Sequence, residues 1–315
     1  MTTSGNSQSI FQSPWWLDAT AGKGNWGIAE VKQDGQVVAS MPWVLKQNSL
    51  GMIILSQPAL TQTLGPWIAE PSMKTKYATR LAREKDLMGA LIDQVPQYHV
   101  FRQNFSPEIT NWLPFYWRGF QQTTRYTYRL NSLADTQSLW KNFQENTRCE
   151  IRKAEKKGIS VEATDDIESF LDVNEKTFLR QGMKLPYSRD YVRRLYSACL
   201  ANNAGKIFLA KEPDGRVHAG NLIVWNQHCA YYLMGGGNPC LRNSGAASLA
   251  MWHAIQYAVT VSQIFDFEGS MIESVERFFR AFGAIQTPYF SLTHIPSKRA
   301  AMALGLRSTL RALWP

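Results

Sequence analysis

The chain has 315 residues, long for one domain and sufficient for two. With 44% hydrophobic and 19% charged residues it has the composition of a globular protein, which excludes a disordered or fibrous one. The formal net charge of +9 suits an anionic partner such as a nucleotide cofactor, a sugar nucleotide, RNA or a membrane face, and no block of like charges forms a basic tail.

Residues 1–9 read as loose. Residues 1–13 carry neither a basic n-region nor an apolar h-region, so no signal peptide is expected. No run is apolar for long enough to span a membrane, and the expectation is a soluble cytoplasmic protein. Ser13-Pro14 starts a short helix. Residues 26–32 and 37–45 read as strands around an Asp34-Gly35 hairpin turn. Residues 52–55 form a further strand, and 58–71, with three prolines and a glycine, a loop. Residues 72–95 place Leu81, Leu87, Leu91 and Val95 near helical spacing. The basic residues of that helix (Lys74, Lys76, Arg80, Arg83, Lys85) read as a solvated face. Strands at 98–104 and 122–130 flank a short helical connection.

In the second half, Asp135 caps a helix, 137–157 reads as one long helix ending at Gly158, and 159–163 is a strand. Asp165, Asp166 and Glu168 open a helix that reaches about residue 181, and a second helix covers 188–202. Three strands follow at 206–211, 217–225 and 229–234, turning at Asp214-Gly215 and Asn226-Gln227. Then come Gly235-Gly236-Gly237, a helix at 245–261, a strand at 264–267, a helix at 274–282, a strand at 286–293 and a basic helix at 297–313. These elements divide into domains at 1–132 and 133–315. Eleven tryptophans are consistent with two large cores. Cys149, Cys199, Cys229 and Cys240 lack metal or disulfide spacing and read as reduced thiols, mostly buried. His218, His228 and His253 lack metal spacing as well, and no metal is called for.

The strand at 264–267 carries Asp266 and Glu268 two residues apart, on one face near the strand's C-terminal end, where open α/β sheets bind ligands. Either carboxylate can serve as a general base for an amine once burial raises its pKa, or can hold the cationic amine. The structural alternative is that Asp266 ties a loop and Glu268 caps the next helix. This stretch, Ile264-Phe265-Asp266-Phe267-Glu268-Gly269-Ser270 with Arg277-Phe278-Phe279-Arg280-Ala281-Phe282-Gly283-Ala284, resembles the signature of the FemAB-like branch of the GNAT acyltransferase superfamily, the peptidoglycan interpeptide-bridge transferases and their relatives. The run from Asn146 through Arg148, Ile151, Arg152, Ala154 and Lys156 to Gly158-Ile159 is similar to that group's R-x-x-I-R-x-A-x-K-x-G-I pattern. A fainter likeness reaches residues 57–66. The resemblance implies an α+β fold of tandem GNAT-like domains, each a mixed twisted sheet flanked by helices, with the first a degenerate copy. It also implies transfer of an acyl group to an amine, and makes 58–71 a candidate substrate loop.

Arg242-Asn243-Ser244-Gly245-Ala246-Ala247 resembles the Q/R-x-x-G-x-G/A pyrophosphate loop of GNAT enzymes. A helix N-terminus offers free N–H groups and a positive dipole end, and small residues admit phosphate to the backbone. The alternative is a Ser-capped helix. Arg148 and Arg152 lie one turn apart, a spacing able to clamp a diphosphate, or else form a solvated face. Tyr231 and Tyr232 precede the loop, one of them facing the cleft. Tyr232 is the candidate acid for a leaving thiolate, a role the resemblance implies. Aminoacyl-tRNA-dependent members have a Phe-Lys pair before the Phe-Gly corner. Here it falls on Phe278-Phe279, with Arg280 one residue late and turned by about a hundred degrees. The charged helical arm of some bridge transferases is also missing.

The resulting expectation is an N-acyltransferase using acyl-CoA (acetyl-CoA) as co-substrate. Its acceptor would be an amine of a sugar, sugar nucleotide or cell-wall peptide in the cleft between domains, with Arg148, Arg152 and Arg280 as substrate-binding candidates. The alternatives are an aminoacyl-tRNA-dependent transferase acting on a peptidoglycan precursor, and a non-catalytic binding module on the same fold.

Overall fold

The computed structural model describes residues 8–71, 75–180, 182–269 and 271–297. After a short 3-10 helix (Ile10–Gln12), α1 (Pro14–Ala21) starts at a proline in its first turn, where the missing N–H costs nothing. The hairpin β1 (Trp26–Gln33) and β2 (Gln36–Gln47) turns at Asp34 and Gly35, both at positive φ, as a two-residue turn between twisted strands requires. There follow β3 (Ile53–Ser56), β4 (Trp67–Ile68), α2 (Tyr77–Asp93), β5 (Val100–Asn104), α3 (Leu113–Tyr116) and β6 (Gln121–Leu130). The second half holds α4 (Thr136–Asn142), α5 (Glu145–Lys156), β7 (Ser160–Thr164), α6 (Ile167–Arg180), α7 (Arg189–Ala201), β8 (Gly205–Lys211), β9 (Val217–Trp225) and β10 (Cys229–Gly237). A 3-10 segment (Pro239–Ser244) leads into α8 (Ala246–Ala258), β11 (Ile264–Asp266), α9 (Glu273–Arg280) and β12 (Ile285–His294).

Chain contacts group the described parts of Met1–Arg125 and Pro288–Pro315 into one unit and Tyr126–Thr287 into another. The sequence places the division at 132/133 and leaves the C-terminus with the second half. The observed division falls inside β6, and β12 from Pro288 onward belongs to the first unit, where Ser291 to His294 pair with β5. Strand pairing is a non-local contact that no local signal near residue 288 announces.

In the first unit the strand order is β1-β2-β3-β5-β12, with β4 on β2 and only the β3–β5 pair parallel. Its core gathers Met41, Leu55, Met88, Leu91, Phe101 and Phe105. In the second unit the order is β7-β8-β9-β10-β11-β6, antiparallel save for β10 with β11. Strand alternation sends Phe208, Ala210 and Ala219 to the face covered by α5 and α8. The opposite face takes α6: a Cβ on Gly220 would meet Leu209, Phe170 and Val173. Each unit is thus a mixed sheet flanked by helices, the α+β class expected.

The single helix expected over 137–157 is two helices. Phe143 and Gln144 are extended, at ψ 142° and 145°. Phe143 leaves the helical path to pack edge-on against Trp252 and Phe282, and the Gln144 N–H bonds the Ala281 carbonyl. Asp135 caps α4 as anticipated, accepting from the Gln137 N–H. Of the cysteines, Cys199 and Cys229 are buried while Cys149 and Cys240 are exposed, so fewer are buried than expected. The start of the helix expected from residue 72, with Lys74, and nearly all of the basic helix expected over 297–313 lie outside the described residues. Among the described residues no helix is long and apolar enough to cross a membrane.

Candidate functional site

The site is framed by a forked pair of strands. β10 and β11 are in register over Cys229–Tyr231 and Ile264–Asp266, after which β11 ends and β10 continues to Gly237. Between Tyr232 and Met234 the register of β10 against β9 shifts by a bulge, which re-aims Tyr232.

Asp266 closes β11 and is fully buried. Its Oδ2 takes the Arg129 Nε–H at 2.6 Å, and its Oδ1 takes the Thr127 hydroxyl and, at 2.8 Å, the Glu268 backbone N–H. A buried carboxylate with this many donors is a structural tie, which answers the burial cost of its charge. It is thereby committed, against its expected role as a catalytic group. Glu268 does not continue the strand. It sits at φ +56°, in the left-handed region that a side chain rarely adopts, and Gly269 at φ +49° passes so close to the Tyr126 carbonyl that no Cβ fits there. The two acids therefore share no strand face; a turn separates them. The Glu268 Oε1 is buried and has no hydrogen-bond partner among the described residues. Burial, and next the nearby charge of Asp266, push its pKa well above the ordinary glutamate value.

Tyr232 stands beside Glu268. Its ring meets Phe279 edge-on at 5.7 Å, and its hydroxyl fills the place a Cβ on Gly235 would take. Burial, followed by Tyr187 and Glu268 nearby, raises its pKa and keeps the phenol protonated. Burial likewise pushes Tyr187 up to about 12. The Tyr187 hydroxyl donates to Asn174 Oδ1 at 3.1 Å, and Asn174 Nδ2 donates to the Gly235 carbonyl at 2.7 Å. Thr177 Oγ1 takes the Gly237 N–H at 2.8 Å. Polar side chains of α6 thus satisfy main-chain groups at the end of β10. Asn174, Thr177, Thr127 and Arg129 were not singled out from the sequence. Asn174 and Thr177 do carry a signal there, two polar residues one turn apart beside Phe170 and Val173 on a helix face that packs inward.

The Arg242 to Ala247 loop enters α8 as expected, with Gly245 at φ +84°. Its detail differs. A Cβ on Gly245 would run into the Glu150 carbonyl of α5, so the glycine serves helix packing rather than phosphate approach. The Ala246 N–H is taken by Ser244 Oγ at 3.3 Å, and that hydroxyl lies 3.0 Å from His218 Nδ1. A cavity of about 140 Å³ remains beside the helix start, lined by Arg180, Arg242, Asn238, Gly237, Ala246 and Ala247 among others. Arg180 and Arg242 form no ion pair among the described residues. Asn243 is exposed and carries no observed contact to this cavity.

The other basic candidates are partly committed. Arg148 pairs with Glu145 and donates to the Lys141 carbonyl at 2.9 Å, closing the end of α4. Arg152 lies 3.3 Å from the same Glu145 and over the Trp140 ring at 5.7 Å. Between them they hold a carboxylate, which satisfies the clamp expected for a diphosphate. Arg152 with Lys153, Lys156 and Lys157 lines a shallow groove along α5. Arg280 points outward to Glu276 at 2.8 Å, whereas Phe279 is buried against Tyr232 and Phe267. The one-residue offset read from the sequence therefore turns the cation away from Tyr232. Among the described residues no cluster of His, Cys, Asp and Glu could hold a metal ion.

A forked parallel pair at the centre of a mixed sheet, a bulged strand and a helix starting at its end define a GNAT-type acyltransferase scaffold. Residues 141–270 match the family profile described as an acetyltransferase (GNAT) domain. The fold is similar to that of FemX, at a TM-score of 0.68 and 15% identity over 91% of this chain and 93% of that one. It is also similar to L-PGS from Bacillus licheniformis, at a TM-score of 0.55 and 12% identity over 94% and 96% of the two chains. A tandem GNAT protein from the clavulanic acid biosynthesis pathway aligns with a TM-score of 0.51 and 12% identity over 87% and 85%. No curated protein matches the sequence. Residues 141–270 thus match a GNAT acetyltransferase domain model, and the fold of the chain is similar to that of FemX.

Proposed function

We propose that the protein transfers an acyl group from a phosphate-bearing carrier to an amine, with Glu268 as general base. The observation that carries this reading is the Glu268 carboxyl just beyond the fork of β10 and β11: its Oε1 is buried and without a hydrogen-bond partner among the described residues, and its pKa is raised well above the ordinary value. A base in that condition takes the amine proton as nitrogen attacks the acyl carbonyl. Tyr232, kept protonated by its surroundings, gives its proton to the departing thiolate or alkoxide, and main-chain N–H groups of the forked strands receive the oxyanion. The acceptor is an amine on a sugar, a sugar nucleotide or a cell-wall peptide.

The carrier is acyl-CoA in the first reading. Arg180 and Arg242, beside the positive end of α8, would hold its diphosphate on the Ala247 side of the loop. A second reading, transfer of an aminoacyl group from tRNA, is favoured by one observation. Asn174 and Thr177 already bond main-chain groups at the β10 end and the Glu150 carbonyl abuts Gly245, which leaves those main-chain groups committed rather than open to the arm of a CoA thioester. Phe279, in the place of the lysine of tRNA-dependent relatives, counts against it.

The test is product formation with a panel of amines, from acetyl-CoA and separately from aminoacyl-tRNA, by the wild type and Glu268→Gln. Transfer from acetyl-CoA that falls by about a hundredfold or more in the variant supports the first reading. Transfer from aminoacyl-tRNA alone moves the assignment to the second. Wild-type rates in Glu268→Gln, or no transfer from either carrier, would overturn the proposal.

A further inference from the structure

We infer that Asp266, clasped by Arg129 and Thr127, is the positioning residue for Glu268. This rests on the reading of Glu268 as the base and adds to it the group that aims it.

Glu268 stands at φ +56°, a backbone conformation that is strained for a residue with a side chain. Something must hold it there. The Asp266 Oδ1 does so by taking the Glu268 N–H at 2.8 Å, across one intervening residue. Such a bond folds the chain back on itself and fixes the direction in which the Glu268 side chain leaves the backbone. A carboxylate can act as a fixed point only if it is itself immobile. Asp266 is immobile because both oxygens are engaged: Arg129 Nε at 2.6 Å holds Oδ2, and the Thr127 hydroxyl shares Oδ1. Thr127 and Arg129 alternate on β6, and Asp266 sits opposite Arg129 in the β6–β11 register. Phe267, between the two acids, is anchored by its N–H to the Tyr128 carbonyl and by its ring in the core, so the turn cannot slide along the strand.

The same arrangement places one negative charge beside the base. The groups that bear on Glu268 among the described residues are Asp266 from β11, with Arg129 of β6 behind it, and Tyr232 of β10, whose other neighbour is Tyr187 from the loop after α6. On the far side of β6, Tyr128 takes up Glu276, which pairs with Arg280 of α9. Arg129 is bonded to Asp266 rather than to Glu268, so its charge chiefly offsets Asp266. Among the described residues Glu268 is left with a like-charged neighbour and no direct cation. Positioning and tuning therefore come from one residue.

The experiment follows the Glu268 carboxyl directly by carbon NMR in protein labelled at glutamate carboxyls, its signal assigned by loss in Glu268→Gln. Asp266→Asn keeps an oxygen for the Glu268 N–H and removes the charge. The expected result is a downward shift of the Glu268 titration by at least about half a pH unit. Thr127→Val keeps the charge and removes one clasp; kcat is expected to fall about tenfold with KM unchanged within about twofold. Glu268 titrating in Asp266→Asn as it does in the wild type, or Thr127→Val turning over at the wild-type rate, would overturn the inference. If Asp266→Asn does not fold, the Thr127→Val kinetics decide. Full activity in Glu268→Gln would instead refute the base assignment, and the NMR titration would still judge whether Asp266 governs Glu268.

Discussion

The Tyr232 hydroxyl occupies the space that a Cβ on Gly235 would fill, so the absence of a side chain at one position fixes the place of the phenol at the other. Both residues are on β10, on either side of the bulge at Leu233. Gly235→Ala forces the ring to rotate away from Glu268 while the strand remains paired to β9. The expected outcome is a fall in kcat of about a hundredfold, the usual cost of misplacing a reacting group by an ångström. Tyr232→Phe should lose a similar factor. The check is steady-state kinetics with circular dichroism of both variants. A Gly235→Ala enzyme of normal kcat would show that the hydroxyl is not used where it stands.

Arg180 ends α6 and Arg242 lies in the last turn of the 3-10 segment before α8, and both residues line the cavity at the start of α8. Their charges are not consumed by carboxylates among the described residues, unlike Arg189 and Arg193, which share Glu168. Arg180→Gln with Arg242→Gln is expected to raise the KM for the phosphate-bearing donor about tenfold, with kcat little changed. It should also flatten the dependence of KM on ionic strength, because screened attraction is the part removed. Initial rates at low and high salt measure both effects. An unchanged KM would place the donor's phosphates elsewhere.

Much of the scaffold is legible in the sequence because its signals are local. The Asp34-Gly35 hairpin, the Asp135 cap, the run of three strands and the glycine opening α8 each follow from residues close together in the chain. What escaped is non-local. Phe143 breaks a helix of good local propensity because Trp252 and Phe282 offer it a core. Ser291 to His294 join the first unit through pairing with β5, more than a hundred and fifty positions away in sequence. The same distinction divides the site. Glu268 and Tyr232 stand out as residue types at the end of strands, but the partners that tie Asp266 lie on β6, and nothing in the neighbourhood of residue 266 points to them. Glycine is ambiguous from sequence alone: Gly245 reads as a phosphate-loop glycine and is required by the carbonyl of Glu150.

The close approach of Gly245 to the Glu150 carbonyl has a measurable consequence. A substitution at Gly245 is expected to act on stability rather than on the ligand alone. Gly245→Ala combines a positive φ with a Cβ driven into the Glu150 carbonyl, a backbone group that cannot turn aside. The loss should be about 1–3 kcal/mol from the backbone conformation, with any displacement of α5 from α8 adding to it. Chemical denaturation reads this as a lower midpoint at unchanged slope. A midpoint equal to that of the wild type would mean that α5 and α8 are not held together through this glycine.

Glu268 also predicts how stability depends on pH. Burial and the adjacent Asp266 raise its pKa in the folded protein above the ordinary value of 4.5, which the unfolded chain retains. The folded protein therefore binds a proton more tightly at this site than the unfolded chain does. The associated stability is fully present below the unfolded pKa. It is lost as pH rises through the folded pKa, since the unfolded chain ionises first and freely. In Glu268→Gln the neutral amide has nothing to titrate, so this component vanishes while every other group is retained. Urea unfolding of both proteins at about pH 5 and about pH 8 isolates it. The wild type should lose stability relative to Glu268→Gln between the two. Parallel behaviour of the two proteins would mean that the Glu268 carboxyl is solvated, and the physical basis for its role as a base would go with it.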